Sequence, residues 1–517
     1  MTCTYNLLDE PWLPVRLVGG QVIDLGLHEV FARSGDIVAL ADTAPPNLVA
    51  QYRMLLAIVH RALSRHLGQW KIKDRVRWYR EGLPIDAIQG YLEQWRERFW
   101  LFHPDYPFMQ VAALAAAEET RDKFKPWTQI SLASASGNTP VIFDHAYDSM
   151  PQAISPADAV RLLLGFLQFT PGGLVKTLRD ADKAGALVNT AAILPLGQTL
   201  AQTLVLGLHS SLGQNAEPDL PAWEREPLTL NQLCGSPVLA TGANDRYTRQ
   251  SRAVLFLDEG GIIRWLRFAA GWALGEDPNA PDPMAAFRVG SNGLVRLGFL
   301  EGRALWRDLP ALVPSPEKNS QSPAVMSHAV DLHQEIGDGR IHQPLLGAGV
   351  ASDQAKLLRW RSEQVSLPVS LLEDTDRAVY LRVLMERSEL LFKDMNGLAV
   401  RMLAETLCDP DSKDTRKRAR GLLAAGPLAS SYFAEVERAL PPMVQKLGVG
   451  LFDEADQYWN VALRRSAVVA WNCVVAGMGH SPRALRADAI FLSRFHGLLN
   501  KLVPKAKAHV TKKEILA

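Results

Sequence analysis

The sequence predicts an α+β protein, with a large, irregular mixed N-terminal domain over residues 1–365 and an all-α four-helix bundle over residues 366–517. Three observations carry that reading. Two adjacent glycines, Gly19 and Gly20, separate two short apolar runs near the start of the chain. Apolar residues recur at alternating spacings of three and four once Pro368 is passed. A length of 517 residues exceeds what one ordinary core encloses, so two or more domains are required.

Val15 to Val18 and Gln21 to Leu25, joined by Gly19-Gly20, read as a β-hairpin with a two-residue turn, because paired glycines supply the positive φ angles such turns demand. Helical stretches follow, chiefly over 47–66. Residues 184–216 contain no Asp, Glu, Lys or Arg. Asn189, Gln198, Gln202 and several threonines interrupt that run and Pro195 breaks it, which favours a buried core segment over a membrane span. Short strands are expected at Val254 to Leu257 and Leu294 to Phe299, set among Gly- and Pro-containing turns. Beyond Pro368, Leu381, Leu384, Ser388, Leu391, Met395, Leu398 and Met402 form one stripe of a helix capped near Asp374, with Ser388 its one polar member. Helices at 428–447 and 452–477 come next, and Ser481-Pro482 offers an N-cap and a first-turn proline for a last one. Its expected buried stripe is Leu485, Ala489, Leu492, Phe495, Leu499 and Leu502. Connections of this length favour a bundle.

With 47% hydrophobic and 21% charged residues, the composition is that of a soluble globular chain. Cys3, Cys234, Cys408 and Cys473 lie far apart, without CxxC spacing or a leader before them, so a reducing cytoplasm is expected, with no metal and no cofactor. The formal net charge is +1, whereas a free-standing duplex binder would neutralise many phosphates with a broad basic surface. The charge is unevenly placed. From Ser366 onward, 22 Lys and Arg stand against 17 Asp and Glu, and in the remainder 34 stand against 38. Lys413, Arg416, Lys417, Arg418 and Arg420 form one basic cluster, and Lys501, Lys505, Lys507, Lys512 and Lys513 a basic tail. A solvated helix face and a frayed terminus are the plain alternatives.

The stretch Ser136 to His145, SGNTPVIFDH, has the chemistry of a loop. Gly137 and Asn138 tolerate positive φ, and Pro140 fixes its own backbone and biases Thr139 towards extended conformations. Phe143, Asp144 and His145 then offer an apolar ring, an acceptor and a switchable donor. Catalytic signatures fail on spacing. In TPGGLVKT, Thr170 to Thr177, Val175 precedes Lys176 where a phosphate loop needs glycine. His328 and His333 sit off the spacing that two ligands on one helical face require, and Asp144-His145 has no evident nucleophile, so the chain is not expected to be an enzyme. Gly172 and Gly173 remove side chains where a backbone can approach a nucleic-acid groove, and Lys176 is expected one helical turn away as a phosphate or minor-groove contact. A plain loop between two core helices is the competing reading of that segment.

SGNTPVIFDH is joined by NLLDEPWLPV (Asn6 to Val15), FHPDYPFMQ (Phe102 to Gln110), DRYTRQSRAVL (Asp245 to Leu255) and GAGVASDQAK (Gly347 to Lys356), a glycine-bracketed loop. In this order they resemble the large subunit of the type I-E CRISPR surveillance complex Cascade, the CasA family. The resemblance runs through most of the chain, and the ordered set is more specific than any one segment. A cysteine cluster found in some members is missing here, so packing must hold that region.

The resemblance implies a subunit that recognises the PAM, the short duplex motif flanking a target, through the minor groove and starts strand separation inside an RNA-guided antiviral complex. It implies a PAM-contacting glycine loop, matched here at Pro171, Gly172 and Gly173, and a wedge residue, Gln354, inserted beside the PAM. A basic finger on a β-hairpin aligns loosely with Gly260 to Gly271, where Arg264 and Arg267 both remain candidates. Asn138 and Phe143 fall in a PAM- or guide-contacting loop, while Trp12 reads as a core anchor. The basic cluster Lys413 to Arg420 is a candidate surface for the displaced strand. Implied partners are the other Cascade subunits (backbone, small subunits and guide-end caps), the CRISPR RNA, double-stranded target DNA and a helicase-nuclease recruited after target binding, with no membrane. The rival reading is a structural scaffold or non-specific duplex clamp.

Overall fold

The computed structural model describes residues 3–134, 148–173, 175, 177–210, 218–278, 280–290, 293–316, 320–337, 342–353 and 356–502. The chain divides into two compact units, one of Met1–Leu305 with Glu317–Ser366, the other of Trp306–Pro316 with Leu367–Ala517. The class is α+β, with an all-helical C-terminal region.

Strands of the first unit form five small sheets among the described residues. The N-terminal hairpin pairs Leu13–Leu17 with Val22–Leu25, and Ile37–Leu40 covers the other edge of Leu13–Leu17. Its turn differs from the expected two-residue form. Leu17 N–H reaches the Gln21 carbonyl at 2.9 Å, leaving the three-residue loop Val18 to Gly20. Only Gly20 takes a positive φ, +85°, because a three-residue loop needs the left-handed region at its last residue alone. The expected strands at 254–257 and 294–299 occur as Arg252–Phe256 and Gly293–Arg296.

The helix Pro45–Leu67 starts on two first-turn prolines and is buried along most of its length, as a helix inside a core must be. The uncharged run supplies the fully buried strand Ala191–Pro195 and the helix Leu200–Gly207. Trp12 is fully buried and donates to the Leu7 carbonyl at 3.0 Å.

At the middle of Pro45–Leu67, Arg53 forms a two-point pair with Asp282 at 3.0 and 2.8 Å, with both side chains closed to solvent. Its guanidinium lies 4.3 Å from the centre of the Tyr247 ring. Burial pushes the Asp282 carboxyl up, but Arg53 and then Arg246 outweigh it and hold the carboxyl below its ordinary value. On the same helix, His60 stacks on His209 with ring centres 3.8 Å apart and planes 13° apart. Asn244 Nδ2 donates to His60 Nδ1 at 2.9 Å and His60 Nε2 faces the Ser210 carbonyl at 3.1 Å, which a neutral ring protonated at Nε2 satisfies. Burial holds His60 down to about 4 and His209 well below its ordinary value.

In the second unit, the stripe from Leu381 to Met402 is buried as expected, on the helix Thr375–Thr406. Asp374 caps that helix by accepting from the Asp376 and Arg377 amides. Ser388 is satisfied by the Met385 carbonyl at 2.6 Å. Leu428–Gly448, Phe452–Met478 and Pro482–Asn500 complete a set of four long helices packed as a bundle. Phe452–Met478 has the length and composition to cross a membrane, and about a third of its apolar stretch is buried within the protein.

Three features of this unit add to or differ from what the sequence predicts. The basic cluster forms a further helix, Lys413–Ala425, capped by the Ser412 side chain at the Thr415 amide. In the last helix Leu485, Ala489 and Leu492 face outward, and the buried stripe is Ala484, Ala487, Phe491, Phe495, Leu498 and Leu499. Both stripes have helical spacing. The observed one places two alanines at the near end of the interface and the Phe495 ring flat on Trp471, with centres 4.4 Å apart. The segment Trp306–Pro316, within residues 1–365 by sequence, clusters with the second unit. Arg307 binds Glu389 at 2.8 and 2.7 Å, and Arg382 donates to the Val313 carbonyl at 2.7 Å, which join the segment to the helices.

Two outcomes follow for stability. Asp282→Ala leaves Arg53 buried without its partner and is expected to cost about 3–5 kcal/mol in chemical denaturation, whereas the paired exchange Arg53→Met with Asp282→Leu recovers most of that loss. The histidines set a pH dependence. Above about 6.5 they are neutral folded or unfolded, while from 6.5 down to about 4 the unfolded chain binds protons that the folded pair does not, so stability falls with pH. The slope is up to roughly 1.4 kcal/mol per pH unit per histidine. Arg61 and Glu224 face His60, and Arg75 and His328 face His209. His209→Phe is expected to flatten the stability profile over this window.

Candidate nucleic-acid interface

The strands Arg252–Phe256 and Trp265–Ala270 pair antiparallel from Arg252 opposite Ala270 to Phe256 opposite Leu266. Gly260 and Gly261 take φ of +77° and +88° in the connection, and Asp258 Oδ1 accepts from the Gly261 amide at 2.8 Å. Arg264 ends this turn and pairs with Glu259 at 2.6 Å. Arg267 lies within the second strand, where it donates twice to the Arg121 carbonyl at 3.2 and 3.1 Å and its guanidinium lies 5.1 Å from the Phe124 ring centre.

This hairpin also holds the stem of the SGNTPVIFDH segment. Lys125–Pro126 adds a third strand, and the Trp127 amide donates to the Arg264 carbonyl at 3.0 Å. Thr128 Oγ1 donates to Asp148 at 2.8 Å, Trp127 Nε1 to the Gln152 carbonyl at 2.7 Å, and Ile154 exchanges backbone hydrogen bonds with Ile263. Residues flanking the segment are thus tied beside Arg264. Asn138 and Phe143 themselves lie outside the described residues.

The glycine loop after the helix Pro156–Phe169 departs from its expected form. Gly173 bridges to Asp182 and Thr177 to Arg179, so the chain doubles back as a bridged loop instead of leading into a helical turn. Gly173 takes φ of +150°, a conformation that favours glycine. A Cβ on Gly172 would stand 3.2 Å from the Ala184 amide nitrogen, which accounts for that glycine by close packing. Lys176 lies outside the described residues.

A buried charge cluster closes the base of this loop. Asp182 accepts from Arg179, pairs with Arg252 at 3.0 Å and accepts from the Gly271 amide at 2.8 Å. Arg252 also donates to the Pro171 and Lys183 carbonyls at 2.6 and 2.7 Å, so one guanidinium ties both limbs of the loop to the first residue of the hairpin strand. Burial lowers the Arg252 pKa and Asp182 opposes the shift. Basic residues of the DRYTRQSRAVL segment are therefore structural: Arg249 is buried and pairs with Asp245 at 2.6 Å, and Arg252 serves the loop. Their spacing in the sequence does not reveal their partners, one of which stands 70 residues upstream of Arg252.

The GAGVASDQAK segment is largely strand, correcting its reading as a glycine-bracketed loop. His342–Asp353 lies between Ala191–Pro195 and Lys356–Pro368 in one sheet. Its glycines serve close packing. A Cβ on Gly349 would stand 2.2 Å from the Thr190 carbonyl oxygen, and one on Gly347 would stand 2.3 Å from Leu305. Gln354 itself lies outside the described residues.

In the second unit, Lys413, Arg416, Lys417, Arg418 and Arg420 are all exposed on the helix Lys413–Ala425. Helical spacing puts Lys413, Arg416, Lys417 and Arg420 on one stripe and Arg418 off it. Arg416 pairs with Asp411 at 2.8 Å.

Similarity to known proteins follows the same span of chain. The sequence model of the family described as CRISPR-associated protein Cse1 matches residues 6–470. CRISPR-associated protein CasA/Cse1 of Thermus thermophilus is 34% identical over 513 residues, 96% of this chain and 98% of its own length. A solved structure of Thermus thermophilus CasA (Cse1) superposes with a TM-score of 0.82 at 31% identity, covering 97% of this chain and all of that one. A chain of a CRISPR RNA-guided surveillance complex shares the fold, with a TM-score of 0.75 at 22% identity over 96% of this chain and all of that one. The chain belongs to the CRISPR-associated Cse1 (CasA) family.

Proposed function

We propose that this chain is the large subunit of a type I-E, RNA-guided antiviral DNA surveillance complex, where it reads the PAM duplex through the minor groove and starts strand separation. The observation that carries the proposal is identity of 34% to a CasA/Cse1 protein across nearly the whole chain. Geometry supports it: among the described residues, Gly172 and Gly173 lie on a bridged loop and Arg264 at a hairpin turn, and Arg252 ties that loop to that hairpin, the usual placement for recognition. Gly172, Gly173 and Lys176 would approach the groove. Gln354 would enter beside the PAM, where a planar amide replaces hydrogen bonds of the bases it parts and unstacking a step costs about a few kcal/mol. Asn138 and Phe143 would contact PAM or guide. Arg264 is the better candidate for the basic finger, because its surface pair with Glu259 is worth only about 0–1 kcal/mol, whereas Arg267 is held by the Arg121 carbonyl and Phe124.

Sequence reading would then be divided: protein reads a short duplex motif and RNA pairing reads the target. The helical unit would dock on neighbouring subunits and hold the displaced strand along the Lys413, Arg416, Lys417 and Arg420 stripe, with Arg418 aside. Target cleavage is assigned to a helicase-nuclease for which this chain is a platform in the cytoplasm. No catalytic step is assigned to the chain itself.

The test is binding of a guide-loaded complex, with and without this chain, to a matched target beside randomised flanking trinucleotides at fixed salt. Adding the chain is expected to create selection among flanks, and Arg264→Ala to weaken binding to the selected flank about tenfold. Equal strengthening for every flank would make the chain a scaffold or general duplex clamp and overturn the assignment.

A further inference from the structure

A polar pocket of about 440 Å³ opens beside the second limb of the glycine loop, lined by residues within 179–183 and by 234–237. Arg179 is fixed on its wall: it donates to Asp182, to the Gly271 carbonyl at 2.7 Å and to the Gly235 carbonyl at 2.9 Å. Its Nε, closed to solvent, has no partner among the described residues. Asp182 is the one acid of the lining, and it already serves Arg179, Arg252 and the amides of Lys183 and Gly271. Two guanidiniums share that carboxylate, so the cluster carries an excess of positive charge.

Lys183 adds a second cation to the lining. It is exposed and has no carboxylate partner among the described residues. Its backbone is nonetheless held at both ends, the amide by Asp182 at 2.9 Å and the carbonyl by Arg252 at 2.7 Å. Ser236, also exposed, offers a hydroxyl to the same space, while Asp180 is exposed but outside the lining. An ammonium and a hydroxyl in front of a fixed guanidinium suit an anion with several acceptor oxygens. Position selects the source of that anion. Gly173 and Asp182 exchange backbone hydrogen bonds at 3.1 and 2.8 Å, which ties the two limbs side by side. A loop that lays its glycine limb against a groove about 6 Å wide brings the other limb to the phosphates along the rim.

We propose that this pocket holds a backbone phosphate of the target duplex, with Lys183 and Ser236 donating to it and Arg179 as the fixed positive wall. The inference rests on the proposed function and adds to it a contact that positions the duplex without reading its sequence.

Guide-loaded complexes carrying the unaltered chain, Lys183→Ala or Lys183→Arg are titrated with the matched target across a range of salt and across randomised flanks. Lys183→Ala is expected to weaken binding about fivefold for every flank alike and to make the slope of log affinity against log salt shallower by about 1, with Lys183→Arg restoring both. Native Cys234 is exposed in the same pocket, so its alkylation, read by mass spectrometry, reports occupancy and is expected to be about fivefold slower once the target is bound. Unchanged affinity and slope in Lys183→Ala, or Cys234 alkylation as fast with target as without it, overturns the proposal. So does a loss confined to particular flanks, which would make Lys183 a reader of sequence. Weaker joining of Lys183→Ala to the guide-loaded complex before DNA is added would assign the anion to the guide and overturn it too. Flank selection by the unaltered chain is a separate readout, so its failure strikes the proposed function while the salt slope still decides this site.

Discussion

The closed pair between Arg53 and Asp282 joins the central helix to a segment 229 residues away, and the first unit is organised around bonds of this kind. A guanidinium taken out of water must recover its lost hydration from a carboxylate and from carbonyls placed around it, or the fold fails. Arg53, Arg249 and Arg252 are each paired with a buried aspartate, though Arg53 Nε and Arg249 Nε and Nη1 find no hydrogen-bond partner among the described residues. Such bonds have few alternative geometries. They fix where irregular segments lie in a protein whose sheets are too small to do so by themselves.

Recognition surfaces are held by the same means. Arg252 begins a hairpin strand and reaches both limbs of the glycine loop, so loop and hairpin share one anchor. The other end of that hairpin supports the stem of the SGNTPVIFDH segment through Arg264 and Ile263. Glycines at 347 and 349 let the strand His342–Asp353 lie close against Leu305 and the Thr190 carbonyl. The described Gly172, Gly173 and Arg264 thus sit on supports built within the chain, which lowers the entropic cost of binding.

Much of the helical unit was legible because its signals are local: alternating spacing marked the stripe from Leu381 to Met402, and Asp374 and Ser481 stand where caps belong. The last helix was misread because it carries two stripes of similar hydropathy, and only the partner ring, Trp471, decides between them. Turn chemistry located the N-terminal hairpin but not its loop length, since adjacent glycines suit both two- and three-residue forms. Gly347 and Gly349 read as loop glycines because a sequence cannot show which atoms come within 3 Å of a missing Cβ. Ion pairs spanning tens to hundreds of residues, and the transfer of Trp306–Pro316 to the second unit, have no local signal at all. The candidate site was found through resemblance of ordered segments, and the structure supplied the supports beneath it.

The most direct test of the account is whether the Gln354 side chain opens the duplex. In the guide-loaded complex, 2-aminopurine placed in the first target base pair beside the flank reports that opening as a rise in fluorescence. The account predicts that Gln354→Ala retains binding and flank preference while the fluorescence stays at its duplex level. Opening by Gln354→Ala at the rate and extent of the unaltered chain would contradict it.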